Sequence, residues 1–296
     1  MGEAVRTVGY VGIGLMGRPM ALRLLGAGVP LTVWGRNPDR IADVVAAGAA
    51  LAESAAALAR ASDVVITCVS DTAAVEAVVF GPGGIAEGAG PGKVLVDMST
   101  IHPRRSREMA ERLRAETGMG WIDAPVSGGP PGAAAGTLAV MAGGSAADHA
   151  FVQPVIRHLA GAFTLMGPSG AGQTTKMVNQ VIVGGCKSVI AEAIQLAMNS
   201  GIDATRLPEA FAGGRADSSL LRQSVPKMVS GDFTPTGHLR TIMKDLDMVM
   251  ELARETRTPM PMTGLATEIH RMMVAHGHAD TDTTSVIALL RDKPVL

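Results

Sequence analysis

Several things are scarce in this sequence, and each scarcity removes a class of protein. Only two cysteines, Cys68 and Cys186, occur in 296 residues. Two thiols build neither a disulfide framework nor a multi-cysteine zinc site. Both stand in apolar runs and read as small buried residues. Aromatic residues make up 3% of the chain, too few for the stacking platforms that hold single-stranded nucleic acid. Neither sign of charge is in excess: 26 Lys and Arg against 27 Asp and Glu leave a net charge of −1. No broad field therefore draws in a polyanion or an acidic membrane surface. No charge-free apolar run is long enough for a membrane span. The best candidate, Met177 to Met198, is interrupted by Asn179, Gln180, Lys187, Glu192 and Gln195. The first residues reach VGYVGIG without a basic segment, an apolar stretch and a cleavage site. The expectation is a cytoplasmic protein in reducing surroundings, with no nucleic-acid and no membrane partner.

Apolar residues, by contrast, are plentiful at 47%, with 18% charged, the balance of an ordered chain with a sizeable core. The first half alternates short β-type runs with helical stretches. Thr7–Val11, Leu31–Trp34, Val64–Cys68, Val94–Met98, Trp121–Asp123, Leu138–Ala142 and Phe163–Met166 read as strands. Several are apolar throughout, as happens when helices cover both faces of a parallel sheet. The Ala-rich tract from Ala46 to Ala61 reads as helix former. After the Gly/Ser/Pro punctuation MGPSGAGQ no strand pattern recurs, and a long helical pattern runs from about Gln173 to Ser200. The reading is an α/β Rossmann-type N-terminal domain, residues 1–166, followed by an all-α domain, residues 167–296, that begins with a long interdomain helix. That helix is apolar on most sides, which predicts burial by the remaining helices, a partner subunit or both, and hence a homodimer or homotetramer.

The segment Gly12, Ile13, Gly14, Leu15, Met16, Gly17 is a GxGxxG motif between a predicted strand and a predicted helix. There the first glycine permits the tight turn, the second lets a pyrophosphate approach the backbone, and the third lets helix pack on strand. An ordinary Gly-rich turn is the competing reading. Enzymes using NAD usually carry an acid at the end of the second strand, which binds the ribose 2′-OH. Here LTVW is followed by Gly35, Arg36 and Asn37, and no carboxylate stands there. Arg36 suits a 2′-phosphate, so NADP is favoured over NAD, although a solvated loop arginine, with Asp39 nearby, is the plainer alternative.

Hydride transfer to a carbonyl also needs a proton donor. None of the seven histidines has an acid-paired setting; His276 and His278 read as surface, and His102 is a minor rival. No set of metal ligands converges, so no metal is expected. Among the lysines, Lys93 and Lys293 read as exposed and Lys227 as part of a polar helix. Lys176 opens the long helix in apolar company, where desolvation favours the neutral amine. Asn179 and Gln180 follow at i+3 and i+4 on the same side. Lys187 lies about 16 Å further along the axis, too far to share a small substrate with Lys176. A solvent-facing helix-start lysine is the alternative. The run DAPVSGGPPG offers Ser127, Gly128 and Gly129 as a turn whose amides suit a carboxylate, or as a plain loop.

Taken together, the strings VGYVGIGLMGRPMALRLL, DMST, DAPVSGGPPGAAAGTLAVMAGG, GAGQTTKMVNQ and KDLDM resemble, in order and spacing, the β-hydroxyacid dehydrogenases. That family includes 3-hydroxyisobutyrate dehydrogenases, tartronate semialdehyde reductases and relatives of 6-phosphogluconate dehydrogenase. The resemblance covers essentially the whole chain. It implies that Lys176 is the catalytic acid/base, that Ser127, Gly128 and Gly129 bind the substrate carboxylate, and that Asn179 and Gln180 orient the substrate. It further implies that Thr100 and Lys244 contact the cofactor. Val69 and Ser70 stand where the family usually has Leu-Pro, and Asn179-Gln180 replaces the common Asn-Asn. The implied activity is an NADP-preferring oxidoreductase interconverting a short 3-hydroxy acid and its semialdehyde, with a small carboxylate-bearing substrate. Two rivals are an imine reductase-like enzyme, which would need no anion nest, and a non-catalytic NADP-binding interaction module, which would lack the lysine.

Overall fold

The computed structural model describes residues 6–291. The chain divides into two compact units, residues 1–176 and 177–296.

The first unit is built on a sheet of nine strands among the described residues, β1 (Val8–Val11), β2 (Leu31–Trp34), β3 (Ala50–Leu51), β4 (Val64–Thr67), β5 (Val94–Asp97), β6 (Gly120–Asp123), β7 (Val126–Ser127), β8 (Leu138–Gly143) and β9 (Ala160–Gly167). Their order is β3-β2-β1-β4-β5-β6-β8-β7, with β9 on β8. Pairing is parallel from β3 through to β6 and between β8 and β9; β8 runs antiparallel to β6 and β7. Strands β1, β4, β5 and β6 are buried at every residue. Side chains alternate across a strand, so Val64, Ile66, Val94, Val96 and Ile122 enter one core while Val65, Leu95 and Trp121 enter the other. The first core is closed by α1 (Gly17–Gly26), α2 (Ala42–Ala46), α6 (Gly129–Ala135) and α7 (Ala146–Ile156), through Met20, Leu24, Val44, Ala133 and Val152. The second is closed by α3 (Ala55–Arg60), α4 (Thr72–Phe80) and α5 (Pro103–Thr117), through Leu58, Val75, Val79 and Leu113.

Helix α8 (Ala171–Asn199) begins in the first unit. The second unit continues with α9 (Leu207–Ala210), α10 (Ser219–Ser230), α11 (Leu239–Thr256), α12 (Pro261–Ala275) and a 3-10 segment, Thr283–Leu290. Its core joins Ile190 and Ile194 to Leu221, Val225, Met228, Leu239, Met273 and Ile287. Asp282 ties three segments together. It accepts Lys227 Nζ at 2.8 Å, Thr236 N at 2.8 Å and Thr284 N at 3.0 Å. No strand follows Gly167 among the described residues; only an isolated bridge joins His238 to Asp282. The architecture is thus a Rossmann-type α/β domain followed by an all-helical one.

The structure corrects several expectations. The Ala46–Ala61 tract, a helix former by composition, is helical at Ala55–Arg60, while Ala50–Leu51 pairs with β2 as the edge strand. Cys186 is exposed rather than buried, while Cys68 is half-buried and packs against the first core. Lys93 is not a loose loop lysine: its ammonium donates to the carbonyls of Ala59, Arg60 and Ser62, at 3.0, 2.9 and 2.6 Å. The SGG turn leads straight into α6, and α7 is a further helix between β8 and β9 that the sequence reading does not include.

Candidate active site

The GxGxxG turn leaves the carboxyl end of β1. Gly12 has φ +98°, and a Cβ there would stand 2.1 Å from the Cys68 carbonyl oxygen, so only glycine fits. A Cβ at Gly17 would stand 1.9 Å from the Gly12 carbonyl oxygen, which is how closely α1 seats on the turn. A Cβ at Gly14 would meet nothing within 4 Å. The backbone in front of the helix is therefore uncovered where a phosphate must approach. Ile13 and Met16 are half-buried, and Leu15 is exposed.

Neighbouring strand ends bring further segments to the same edge. Arg36 and Asn37 follow β2, both exposed, and Asn37 Oδ1 accepts Asp39 N at 3.0 Å. Val69 and Ser70 follow β4. Val69 N donates to Ser99 Oγ at 2.9 Å, while Ser70 Oγ donates to Asp71 Oδ2 at 2.7 Å. Thr100 follows β5. At the tip of β5, Asp97 Oδ1 accepts Thr67 Oγ1 at 2.9 Å and Ser99 N at 3.1 Å. Burial pushes the Asp97 carboxyl up to about 6.

Ser127, Gly128 and Gly129 follow β6 through the short strand β7. Gly128 and Gly129 have φ +134° and +64°, so the chain turns sharply here into α6. Lys176 is buried, and its Nζ donates to Val126 O at 2.7 Å. The ammonium therefore stands at the residue that precedes Ser127. The first turn of α8 is held by side chains that the sequence alone did not single out. Asp123, paired across the sheet with Asp97, accepts Gly170 N at 2.7 Å and Gln173 N at 2.9 Å. Burial pushes its carboxyl up to about 6 despite these bonds. The Gln173 side chain donates to Ser99 O at 2.8 Å and accepts Ile101 N at 3.1 Å.

In the second unit, Asn179, Gln180 and Lys244 come together around Asp245. Asn179 Nδ2 donates to Gln180 Oε1 at 2.8 Å, and Gln180 Nε2 donates to Asp245 Oδ2 at 2.6 Å. Lys244 Nζ lies 3.1 Å from Asp245 Oδ1. Asp245, buried and named by no motif role, was visible only as the second residue after Met243 in MKDLD. Burial pushes the Lys187 ammonium down to about 8, but it donates to the Thr283 hydroxyl and sits among the core-facing groups of the second unit. Low basicity alone does not make it a rival to Lys176. His102 caps α5: its Nδ1 accepts Arg104 N at 3.3 Å.

Comparison with known proteins gives the family. Residues 7–167 match the NAD binding domain of 6-phosphogluconate dehydrogenase, and residues 170–290 match the NAD-binding domain of NADP-dependent 3-hydroxyisobutyrate dehydrogenase. The chain is 36% identical over 281 residues to 2-(hydroxymethyl)glutarate dehydrogenase of Eubacterium barkeri, covering 95% of this chain and 93% of that one. It is 35% identical over 284 residues to 2-hydroxy-3-oxopropionate reductase of Escherichia coli K12, covering 96% of each. A solved 3-hydroxyisobutyrate dehydrogenase from Salmonella typhimurium superposes with a TM-score of 0.87 at 32% identity, over 96% of this chain and 99% of the other. The chain belongs to the β-hydroxyacid dehydrogenase family. It is an oxidoreductase that uses a nicotinamide cofactor and acts on CH–OH.

Proposed function

We propose that the enzyme interconverts a short 3-hydroxy acid and its semialdehyde, with NADP(H) preferred over NAD(H). Tartronate semialdehyde and glycerate are the leading pair; 3-hydroxyisobutyrate and methylmalonate semialdehyde come second. The observation that carries this reading is the buried Lys176 ammonium, 2.7 Å from Val126 O and so beside Ser127–Gly129. An acid/base and a carboxylate-binding turn at that spacing suit a substrate whose acid and carbonyl groups are close together. Names of relatives, a hydroxymethyl-diacid dehydrogenase and a hydroxy-oxo-acid reductase, fit the same class.

The chain's residues fit a dinucleotide. Gly14 leaves the helix N-terminus uncovered, and Gly12 and Gly17 make the close turn that such a group needs. Gly12–Gly17, Val69, Ser70, Thr100 and Lys244 would hold the cofactor, with Arg36 and Asn37 at its 2′-phosphate. Bound nicotinamide supplies the hydride for reduction and receives it in oxidation. Ser127 Oγ and the amides of Gly128 and Gly129 hold the substrate carboxylate. Asn179 and Gln180 orient its polar groups. Lys176 gives a proton to the carbonyl oxygen as it gains negative charge, and takes one from the hydroxyl in the reverse direction. A general acid so placed contributes about 10²–10⁴ in rate. Lys176→Ala should therefore abolish turnover with a panel of C3–C4 semialdehydes, while NADPH still binds with near-native affinity. A variant keeping more than about a tenth of wild-type kcat, against that expected loss, would sink the assignment.

A further inference from the structure

We infer that Asp123 and Gln173 are positioning residues: together they fix where Lys176 stands against the Ser127–Gly129 segment. The inference rests on the acid/base role of Lys176 proposed above.

A helix usually begins on a Ser, Thr, Asp or Asn of its own chain neighbourhood, which accepts a first-turn N–H. The residue before α8 is Gly170, which has no side chain to do this. The acceptor comes from far upstream. Both carboxylate oxygens of Asp123 are used, one for Gly170 N and one for Gln173 N, across sequence separations of 47 and 50 residues. The helix is thus tied to the tip of β6 rather than to its own loop.

Gln173 adds a second tie. Its fully buried side chain bridges Ser99 O and Ile101 N, on either side of Thr100. One residue thereby couples the start of α8 to the segment after β5. The seat is also closed sterically. A Cβ at Gly172 would stand 2.4 Å from Met141 O and 2.5 Å from Asp123 O, and one at Gly143 would stand 2.7 Å from Asp123 Oδ1 and from Gly172 N. Helix and strand ends meet backbone to backbone.

Lys176 follows Gln173 by three residues, one helical turn, and its Nζ returns to Val126 O, three residues beyond Asp123. The path from Asp123 through α8 to Lys176 and back along Val126 is a closed circuit. It fixes the ammonium at both ends: by the cap at the helix and by the carbonyl at the tip. Asp123 and Gln173 are not placed to touch substrate. They act through Lys176, and a misplacement of about 1 Å can cost on the order of a hundredfold in rate.

The test compares Asp123→Asn and Gln173→Met with Lys176→Ala in the full-length enzyme. Asn at 123 keeps the shape but offers one acceptor and turns an NH2 group toward a backbone N–H. Met at 173 keeps the bulk and removes both side-chain bonds. The expected result for each is a kcat lowered about tenfold or more, with semialdehyde KM and NADPH affinity held within about threefold. If one variant does not fold, the other decides. Suppose Lys176→Ala is inactive but the folded variants keep kcat within about twofold of wild type: then the positioning role alone is wrong. Loss of kcat in proportion to lost NADPH binding would also overturn it, since that marks an effect on the cofactor segment around Thr100 rather than on the placement of Lys176. If Lys176→Ala stays active, the acid/base reading fails, and this inference falls with it.

Discussion

Asp97 is fully buried, yet only one of its carboxylate oxygens has partners; Oδ2 has none. Burial is the main reason its carboxyl is pushed up to about 6, and the nearby charge of Asp123 adds to it. The folded-state value is raised above the ordinary unfolded one, so the native chain binds this proton more tightly. The associated stability is fully present below about pH 4 and is lost as pH rises through about 6. Asp97→Asn keeps the acceptor for Thr67 and Ser99 and replaces the unpartnered charged oxygen with a neutral amide. Its melting temperature should exceed wild type at about pH 7.5, and the difference should shrink at about pH 5, where the native acid is largely protonated. Thermal unfolding at both pH values checks this. A pH-independent difference would mean that charge is not the cause. Arg36 supports a second residue-scale prediction. It is exposed, so a pairing with a 2′-phosphate would be weakened by water and salt. Even so, with no carboxylate at position 35, NADPH should exceed NADH by about ten- to a hundredfold in kcat/KM. A Cβ at Gly35 would meet Ile41 at 3.5 Å, ordinary contact, so Gly35→Asp is sterically allowed. Combined with Arg36→Gln it should reverse the preference. Steady-state kinetics with both cofactors measure it, and equal efficiencies in the parent at low salt would reduce Arg36 to a surface charge.

Among the elements, those buried on both faces were legible, because a strand such as Val64–Thr67 is apolar at every position. Short elements were not. Strands β3 and β7 have two residues each, too few to show a period. Helix α6 reads GPPGAAA, with turn residues in its first half. Helix α7 does carry a start signal: Ser145 Oγ accepts Asp148 N at 3.0 Å, three residues on, in a Ser-x-x-Asp pattern. Pro154 inside it masked the helical run. At the candidate site, the placement of the GxGxxG turn before α1 and of Lys176 near the start of α8 was legible because the pattern is local. The roles of Asp123, Gln173 and Asp245 were not, since their partners lie 47 to 74 residues away. The start of α8 gives a direct test of such a distant seat. Gly172→Ala drives a methyl group against Met141 O and Asp123 O. It should destabilise by about 1–3 kcal/mol, the usual range for overpacking, although alanine is the better helix former. Denaturant titration would show it as a lowered midpoint; an unchanged or raised midpoint would mean that α8 does not seat on β6 and β8 this closely.

At the scale of the whole molecule, one face of α8 stays without cover inside a single chain. Val178, Ile182, Val189 and Leu196 are 57%, 60%, 56% and 69% exposed, and their spacing of four, seven and seven residues places them on one stripe. Of the helix's most apolar 18-residue window, 33% is buried. By length and hydropathy alone the helix is able to cross a membrane. Yet Lys187, Glu192 and Gln195 lie within the run, and its opposite side, with Ile190, Ala191 and Ile194, is packed into the helical core. A helix half engaged in a core and half apolar toward water is better satisfied by a matching surface than by lipid. Self-complementary burial in a symmetric dimer or tetramer meets that need with no second gene product. We therefore expect sedimentation at micromolar concentration to give at least twice the chain mass of 30.4 kDa. Ile182→Glu with Leu196→Glu places two charges in the stripe while leaving the core side of α8 untouched. It should shift the protein to a monomer of unchanged helical content, since charges in a desolvated interface are strongly disfavoured. A wild-type monomer under those conditions, or a double variant that sediments like the parent, would mean that this stripe is not the surface through which copies associate.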